Sequence, residues 1–152
     1  MTPGFEDLPH VDEHSTTIAA SADVTWEALL WMVESMGSGQ APRFARLLGC
    51  ADVAAAGPRP LAQGSAVTGF HVDRIAPLHE LALVGNHRFS VYALIFRLDR
   101  VDAGETRLRA ETRAEFPGLK GSAYRALVIG TRGHVLATRR LLGAVKRRAE
   151  RA

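Results

Sequence analysis

The spacing of apolar positions changes along the chain, and each change marks an element. Residues 10–19 hold Val, Thr and Ile in partial alternation with polar residues and predict a strand. Ser21 and Asp23 then offer N-cap oxygens to a helix carrying Val24, Trp26, Leu29, Leu30 and Val33. That helix should stop near Gly37, in Gly37-Ser38-Gly39. A short helix follows from about Pro42 to Leu48 and ends at Gly49. Residues 51–65, with Gly57, Pro58, Pro60 and Gly64, read as a long loop with room for a helical turn at 51–56. Four extended segments come next, at 66–75, 78–85, 87–99 and 106–116. Ala76-Pro77 separates the first two, Gly85-Asn86 is a hairpin signal, and Asp102-Ala103-Gly104 is a second turn. From Lys120 to Ala149 proline is absent and Tyr124, Val128, Thr131, Val135, Thr138, Leu142 and Val145 recur at steps of three and four. This predicts one amphipathic helix of roughly 43 Å at about 1.5 Å per residue.

Strand 106–116 sets which side chains face inward. Leu108, Ala110, Thr112, Ala114 and Phe116 alternate with Arg107, Arg109, Glu111, Arg113 and Glu115, so the first set faces the core. Pairing Asp99 with Arg107 across the second turn puts Tyr92, Leu94, Phe96 and Leu98 inward. Slipping by one would bury Arg97 against Ala110, which is costly. Crossing Gly85-Asn86 puts His79 opposite Tyr92, Leu81 opposite Ser90 and Leu83 opposite Arg88. Crossing Ala76-Pro77 puts Arg74 opposite His79, with Phe70 and Val72 on the same face. The inward polar set is then Arg74, His79, Arg88, Ser90, Tyr92 and Thr112, with His71 and Asp73 on the solvent face.

Composition narrows the class without naming an activity. The 152 residues are 47% hydrophobic and 23% charged, ordinary values for one globular domain, expected over 1–152 with 1–9 as a flexible tail. No apolar run reaches the length of a membrane span, and Met1–Pro9 is not a secretory signal, so a cytoplasmic location is expected. Cys50 is the single cysteine. His71, His79, His87 and His134 match no ligand spacing, so no metal and no other cofactor is expected. No carboxylate pair falls on the inward face, which argues against hydrolytic acid–base chemistry. Residues 1–76 carry four basic and nine acidic residues, and 77–152 carry fifteen and seven. Arg125, Arg132, Arg139 and Lys146 recur every seven residues as a basic seam, which the helix dipole favours near a C-terminus. Nucleic acid is therefore not the expected partner. Gly130 and Gly133, with Ala123, Ala126 and Ala137, leave room for close approach of the sheet or of a second copy in a homodimer.

The phrase Thr17-Ile18-Ala19-Ala20-Ser21-Ala22-Asp23-Val24-Thr25-Trp26-Glu27-Ala28-Leu29, followed by this order of elements, resembles the START-like superfamily of polyketide cyclase/dehydrase and lipid-transport proteins. The resemblance implies an α+β helix-grip fold: a curved antiparallel sheet wrapped around a long C-terminal helix, with two short helices after the first strand. It also implies a hydrophobic cavity between sheet and helix. Five strands are clear in this sequence, against six or seven usual for the superfamily. The register places Arg74, His79, Tyr92, Phe70, Val72, Leu81, Leu94, Phe96 and Thr112 around that cavity, with Tyr124 and Val128 arriving from the helix. Apolar walls with a few convergent polar groups suit a small apolar or amphipathic molecule, so the expected function is binding or transport of such a ligand. Two other functions fit the pattern: a cyclase or dehydrase using the cavity His and Tyr, and an interaction module using the basic helix.

Overall fold

The computed structural model describes residues 4–37, 41–128 and 132–152. Strand β1 (His10–Ile18) leads into α1 (Ala22–Glu34), and α2 (Ala41–Leu48) follows. The strands β2 (Ala66–Val67), β3 (Phe70–Ala76), β4 (Glu80–His87), β5 (Ser90–Asp102) and β6 (Glu105–Glu115) come next, then α3 (Gly118–Val128) and α4 (Gly133–Arg151). The six strands form one antiparallel sheet in the order β1-β6-β5-β4-β3-β2. This is the α+β helix-grip arrangement that the sequence implies.

Local chemistry starts the helices where expected. The Ser21 hydroxyl accepts from the Val24 N–H at 3.2 Å, capping α1. Helix α4 packs against α1 and β1, closing one face of the sheet. Ile18, Leu29, Val33, Leu81, Leu83, Phe96, Leu108 and Val145 are fully buried between them. The C-terminal end of α4 is tied down by Lys146, which donates to the Thr17 carbonyl, and by Glu150, which accepts from the Ala19 N–H. No described helix is long and apolar enough to cross a membrane.

Several boundaries differ from expectation. The first extended segment is broken at Thr68-Gly69, giving β2 and β3 and so six strands where five were clear. Residues 51–56 form no helix; Ala56 instead bridges Ala66. The helix expected over 120–149 is divided into α3 and the long C-terminal helix α4. Arg132 adopts the left-handed region at φ 58° before Gly133 opens α4. Gly130 and Thr131 lie outside the described residues. Of the tail expected at 1–9, residues 4–9 are fixed: Phe5 and Leu8 are buried against Ala82, Ala93 and Ile95 on the face away from α4.

The β5–β6 register is as expected, with Asp99 opposite Arg107 and Phe96 opposite Ala110. The β4–β5 turn is not. It falls at Arg88-Phe89, with His87 opposite Ser90 and Gly85 opposite Tyr92. The displacement from the expected pairing is an even number of residues, so Leu81 and Leu83 still face inward. Gly85 serves close approach rather than a turn: a Cβ there would overlap the Gly69 carbonyl oxygen and meet the Tyr92 ring at 2.7 Å. A second difference lies in β3. A register shift between Val72 and Arg74 sets Val72 opposite Leu83 but Arg74 opposite Ala82. Arg74 thus leaves the helix-covered face. It meets Glu80 at 2.6 Å and Glu6 at 2.8 Å and lies over the Phe5 ring.

That outer face carries a chain of ion pairs across the strands. Arg97 joins Glu80 (3.1 Å) to Glu111 (2.9 Å), and Arg113 and His10 complete the Glu111 site. Burial opposes ionisation of Glu111, but Arg97, His10 and Arg113 outweigh it and hold its carboxyl below the usual carboxylate range. Glu80 is held low in the same way by Arg74 and Arg97. A folded-state pKa below the unfolded value gives stability that is present at neutral pH and lost as pH falls through the carboxylate range. Arg97→Leu should therefore cost about 2 kcal/mol at pH 7, discounted because Arg113 and His10 remain on Glu111. Urea unfolding should show the gap between variant and wild type shrinking towards pH 3.

Candidate functional site

A cavity of about 340 Å³ opens at the end of the sheet where α2, α3 and the β4–β5 hairpin meet. Its walls are Phe44, Ala45 and Leu48 from α2, Phe70 from β3, Leu94 from β5, Ala114 and Phe116 at the end of β6, and Val11 from β1. Polar groups on the same walls are His87, Ser90, Tyr92, Thr112, Tyr124, His134 and the Cys50 thiol. A small set of polar groups on an apolar surface of this size is the usual makeup of a small-molecule site.

Aromatic edges organise one side. The Phe70 and Tyr92 rings meet edge to face at 5.2 Å, the His87 and Tyr124 rings at 4.8 Å, and Phe89 stacks on Tyr124 at 5.5 Å. The Tyr92 hydroxyl donates to the Gly69 carbonyl at 2.6 Å, with the Cys50 sulfur 4.0 Å away. Burial, then the neighbouring Cys50, pushes the Tyr92 phenol well above its usual range, so it stays protonated. Tyr124 is raised for the same two reasons. Tyr92 is thus a fixed wall whose proton is already engaged.

His87 is the better-placed polar group. Its Nδ1 accepts from the Phe89 backbone N–H at 3.1 Å. A backbone amide only donates, so the neutral ring carries its proton on Nε2. Burial lowers the His87 pKa below its usual value, favouring that neutral form at pH 7. The unfolded chain therefore takes up the proton first as pH falls. Stability should be full above the ordinary histidine range and fall as pH drops from there through the folded value. His87→Phe should flatten the pH dependence of Tm between pH 7.5 and 5; an unchanged slope would place the titrating group elsewhere.

A second polar cluster stands beside the cavity under α4. Asp12 Oδ2 accepts from His134 Nε2 at 2.6 Å and lies 3.0 Å from His14 Nε2. Asp12 Oδ1 and His134 Nδ1 are buried with no hydrogen-bond partner. Among the described residues no three such groups are arranged to hold a metal ion.

The structure brings together Phe70, Tyr92, Leu94, Thr112 and Tyr124 of the expected set. Val72, Leu81 and Phe96 face the same way but are consumed in the packed core beneath α1 and α4. Arg74 lies on the opposite face, moved there by the shift in β3. His79 is exposed in the Pro77-Leu78-His79 turn, because β4 starts only at Glu80 and runs to His87. Arg88 is exposed at the hairpin tip. The side chain of Val128 lies outside the described residues.

Sequence reading missed His87, Asp12 and His134. Read from sequence, His87 starts the following strand, whose odd positions face outward. It belongs instead to β4, whose odd positions Leu81, Leu83 and Gly85 face inward. Carrying the β4 alternation two residues past Gly85 would have found it. Asp12 pairs with Thr112 across β1 and β6, so an inward carboxylate exists where none was expected.

No family model matches the chain, and no curated protein matches it significantly. Solved structures do. The Zhui aromatase/cyclase from Streptomyces sp. R1128 is similar at TM-score 0.59 and 20% identity, over 95% of this chain and 94% of that one. A truncated norcoclaurine synthase from Thalictrum flavum is similar at 0.57 and 14%, over 92% and 94%. The Mll3558 protein from Rhizobium loti is similar at 0.54 and 17%, over 93% and 99%. At these identities the likeness is one of fold: the chain shares the helix-grip fold of these structures.

Proposed function

We propose that this helix-grip chain binds a small, largely apolar ring compound carrying one polar group, in the cavity between β5, β6, α2 and α3. The observation that carries the reading is the wall chemistry. Ring edges and aliphatic side chains surround a volume of about 340 Å³, and the His87 ring, whose Nδ1 is engaged by the Phe89 N–H, presents its Nε2–H on that wall beside the Tyr124 and Thr112 hydroxyls. Burying roughly 250 Å² of apolar ligand surface would contribute about 6 kcal/mol before ordering costs, enough for modest affinity. The polar end would be oriented by His87, with Tyr124 and Ser90 beside it. Native mass spectrometry of freshly purified protein tests this. A co-purifying mass of a few hundred daltons that leaves on denaturation supports it. Bare chain that also shows no thermal shift with 2-naphthol would sink it.

A second reading, an enzyme of cyclase or dehydrase type, is favoured by Asp12 and His134. With Nε2–H held on the Asp12 carboxylate, the neutral His134 ring keeps its lone pair on Nδ1. That nitrogen could take a proton from carbon beside a ligand carbonyl. The C–H electron pair would become the enolate double bond, and the charge gathering on the carbonyl oxygen would be held by a hydrogen bond from the His87 Nε2–H, the proton resting on His134 until it is returned to carbon. Nδ1 is enclosed by protein, so the ring must swing towards the cavity when ligand enters. Deuterium exchange at C1 of 2-tetralone, followed by NMR, tests it. Exchange lost in His134→Gln with 2-tetralone affinity retained supports the enzyme; equal exchange in both proteins overturns it.

A further inference from the structure

We propose that the cavity end of the molecule docks on an anionic lipid surface, α2 and α3 lying against the headgroups. The proposal goes beyond the ligand reading and does not require any particular ligand. Three observations converge on this end.

The first is exposed apolar surface on the two helices that frame the opening. Leu47 of α2 is 71% exposed, Phe44 60% and Leu119 of α3 91%. Large side chains this open, on the two short helices that flank the β4–β5 hairpin tip, mark an interaction surface rather than scattered surface residues. The elements are neighbours: the Arg88 N–H at the hairpin tip donates to the Leu48 carbonyl of α2. On the other side of the tip, Phe89 stacks on Tyr124 of α3.

The second is charge. Arg43 and Arg46 of α2, Arg88 of the hairpin, and Lys120 and Arg125 of α3 are all exposed. Residues 41–51, 86–91 and 116–128 contain no Asp or Glu. The third is the state of those cations. On the outer sheet face Arg74, Arg97, Arg109 and Arg113 are each ion-paired. Among the described residues none of the five cations at the mouth has an ion-pair partner; of the flanking carboxylates, Asp52 is paired with His71 and Glu115 ends β6.

Apolar side chains interleaved with arginine and lysine on short helices are the pattern of helices that lie in a membrane interface. Each basic residue near an anionic leaflet adds roughly 1 kcal/mol, or about fivefold in affinity. A second copy of this chain is a poorer occupant, because it would set five unpaired cations against five. Nucleic acid would match the charge but leave the leucines in water. An acidic protein would match the charge too, and the experiment separates it.

The test is co-sedimentation of the full chain with vesicles of 3:1 phosphatidylcholine:phosphatidylglycerol and of pure phosphatidylcholine. Wild type should bind the mixed vesicles at least tenfold more tightly than the neutral ones. Arg43→Glu/Arg46→Glu should lose tenfold or more. Leu47→Glu and Leu119→Glu should each lose severalfold while melting like wild type and binding 2-naphthol as it does. Absence of binding to the mixed vesicles overturns the proposal. So does binding that the leucine variants leave unchanged, since that is adsorption by charge alone, as any acidic polymer or protein would show. A dimer in light scattering that Leu47→Glu dissolves assigns the surface to self-association and also overturns it. None of these outcomes bears on whether the cavity takes a ligand, which the naphthol titration reads separately.

Discussion

Replacing Leu108 by aspartate should lower the unfolding free energy by more than about 4 kcal/mol, a large part of the 5–15 kcal/mol that a domain usually has. Leu108 is fully buried, opposite Leu98 on β5 and Thr16 on β1. The change removes its packing and leaves a carboxylate with no cation facing it on either neighbouring strand. The adjacent substitution, Arg107→Asp, should cost less than about 1 kcal/mol. Arg107 is exposed and makes one hydrogen bond, to the Ser15 hydroxyl at 3.2 Å. Urea unfolding of the two variants compares side chains one residue apart on opposite faces of β6. Similar losses in both would contradict the face assignment on which the cavity geometry rests.

Gly85→Ala should cost about 3 kcal/mol, far more than a glycine-to-alanine change in an ordinary strand. There is no open space beside this Cα. The new methyl would overlap the Gly69 carbonyl oxygen and press on the Tyr92 ring at 2.7 and 2.9 Å. That carbonyl also accepts the Tyr92 hydroxyl, so relief by moving either partner breaks the 2.6 Å hydrogen bond. Gly104→Ala is the control, because the nearest atom to its Cβ would be an Asp102 oxygen at 3.9 Å. It should change stability by no more than about 0.5 kcal/mol. Since Tyr92 and Gly69 both line the cavity, Gly85→Ala should also weaken 2-naphthol binding.

These two variants mark where sequence was readable and where it was not. The β6 alternation is readable because one face of the strand is buried core and the other carries Arg107, Arg109, Arg113 and Glu111, so physics permits one phase. The same logic carried to β5 through the turn at 102–104 and held. At Gly85-Asn86 it failed for a specific reason. A glycine required by Tyr92 on the neighbouring strand looks, in sequence, like a glycine required by a turn. The hairpin then moved to Arg88-Phe89, where neither residue has positive φ and nothing in the residue types announces it. Faces survived because the displacement was even, but His79 was sent to the wrong end of the sheet and His87 was lost. Arg74 failed through the irregularity at Val72 to Arg74, a one-residue event that reverses faces and leaves no compositional trace. The end of α3 and start of α4 have a trace in Gly130 and Gly133, each costly in a helix interior, but the apolar period runs on across them and hides it. Asp12 and His14 escaped because β1 shows only partial alternation, and its inward polar residues are matched by His134 more than 120 positions away.

The central claim is that the cavity beside His87 takes a small ring compound. Calorimetric titration with 2-naphthol, comparing wild type with Thr112→Phe, tests it most directly. Thr112 lines the cavity between Leu94 and Asp12 on the neighbouring strands, and a phenyl ring there would occupy the space a ligand needs. Wild type should bind in the micromolar range with a negative heat-capacity change, the mark of apolar burial. Thr112→Phe, folded by its thermal melt, should bind at least tenfold more weakly. Equal affinity in the two proteins, or no saturable heat with wild type, would contradict the account.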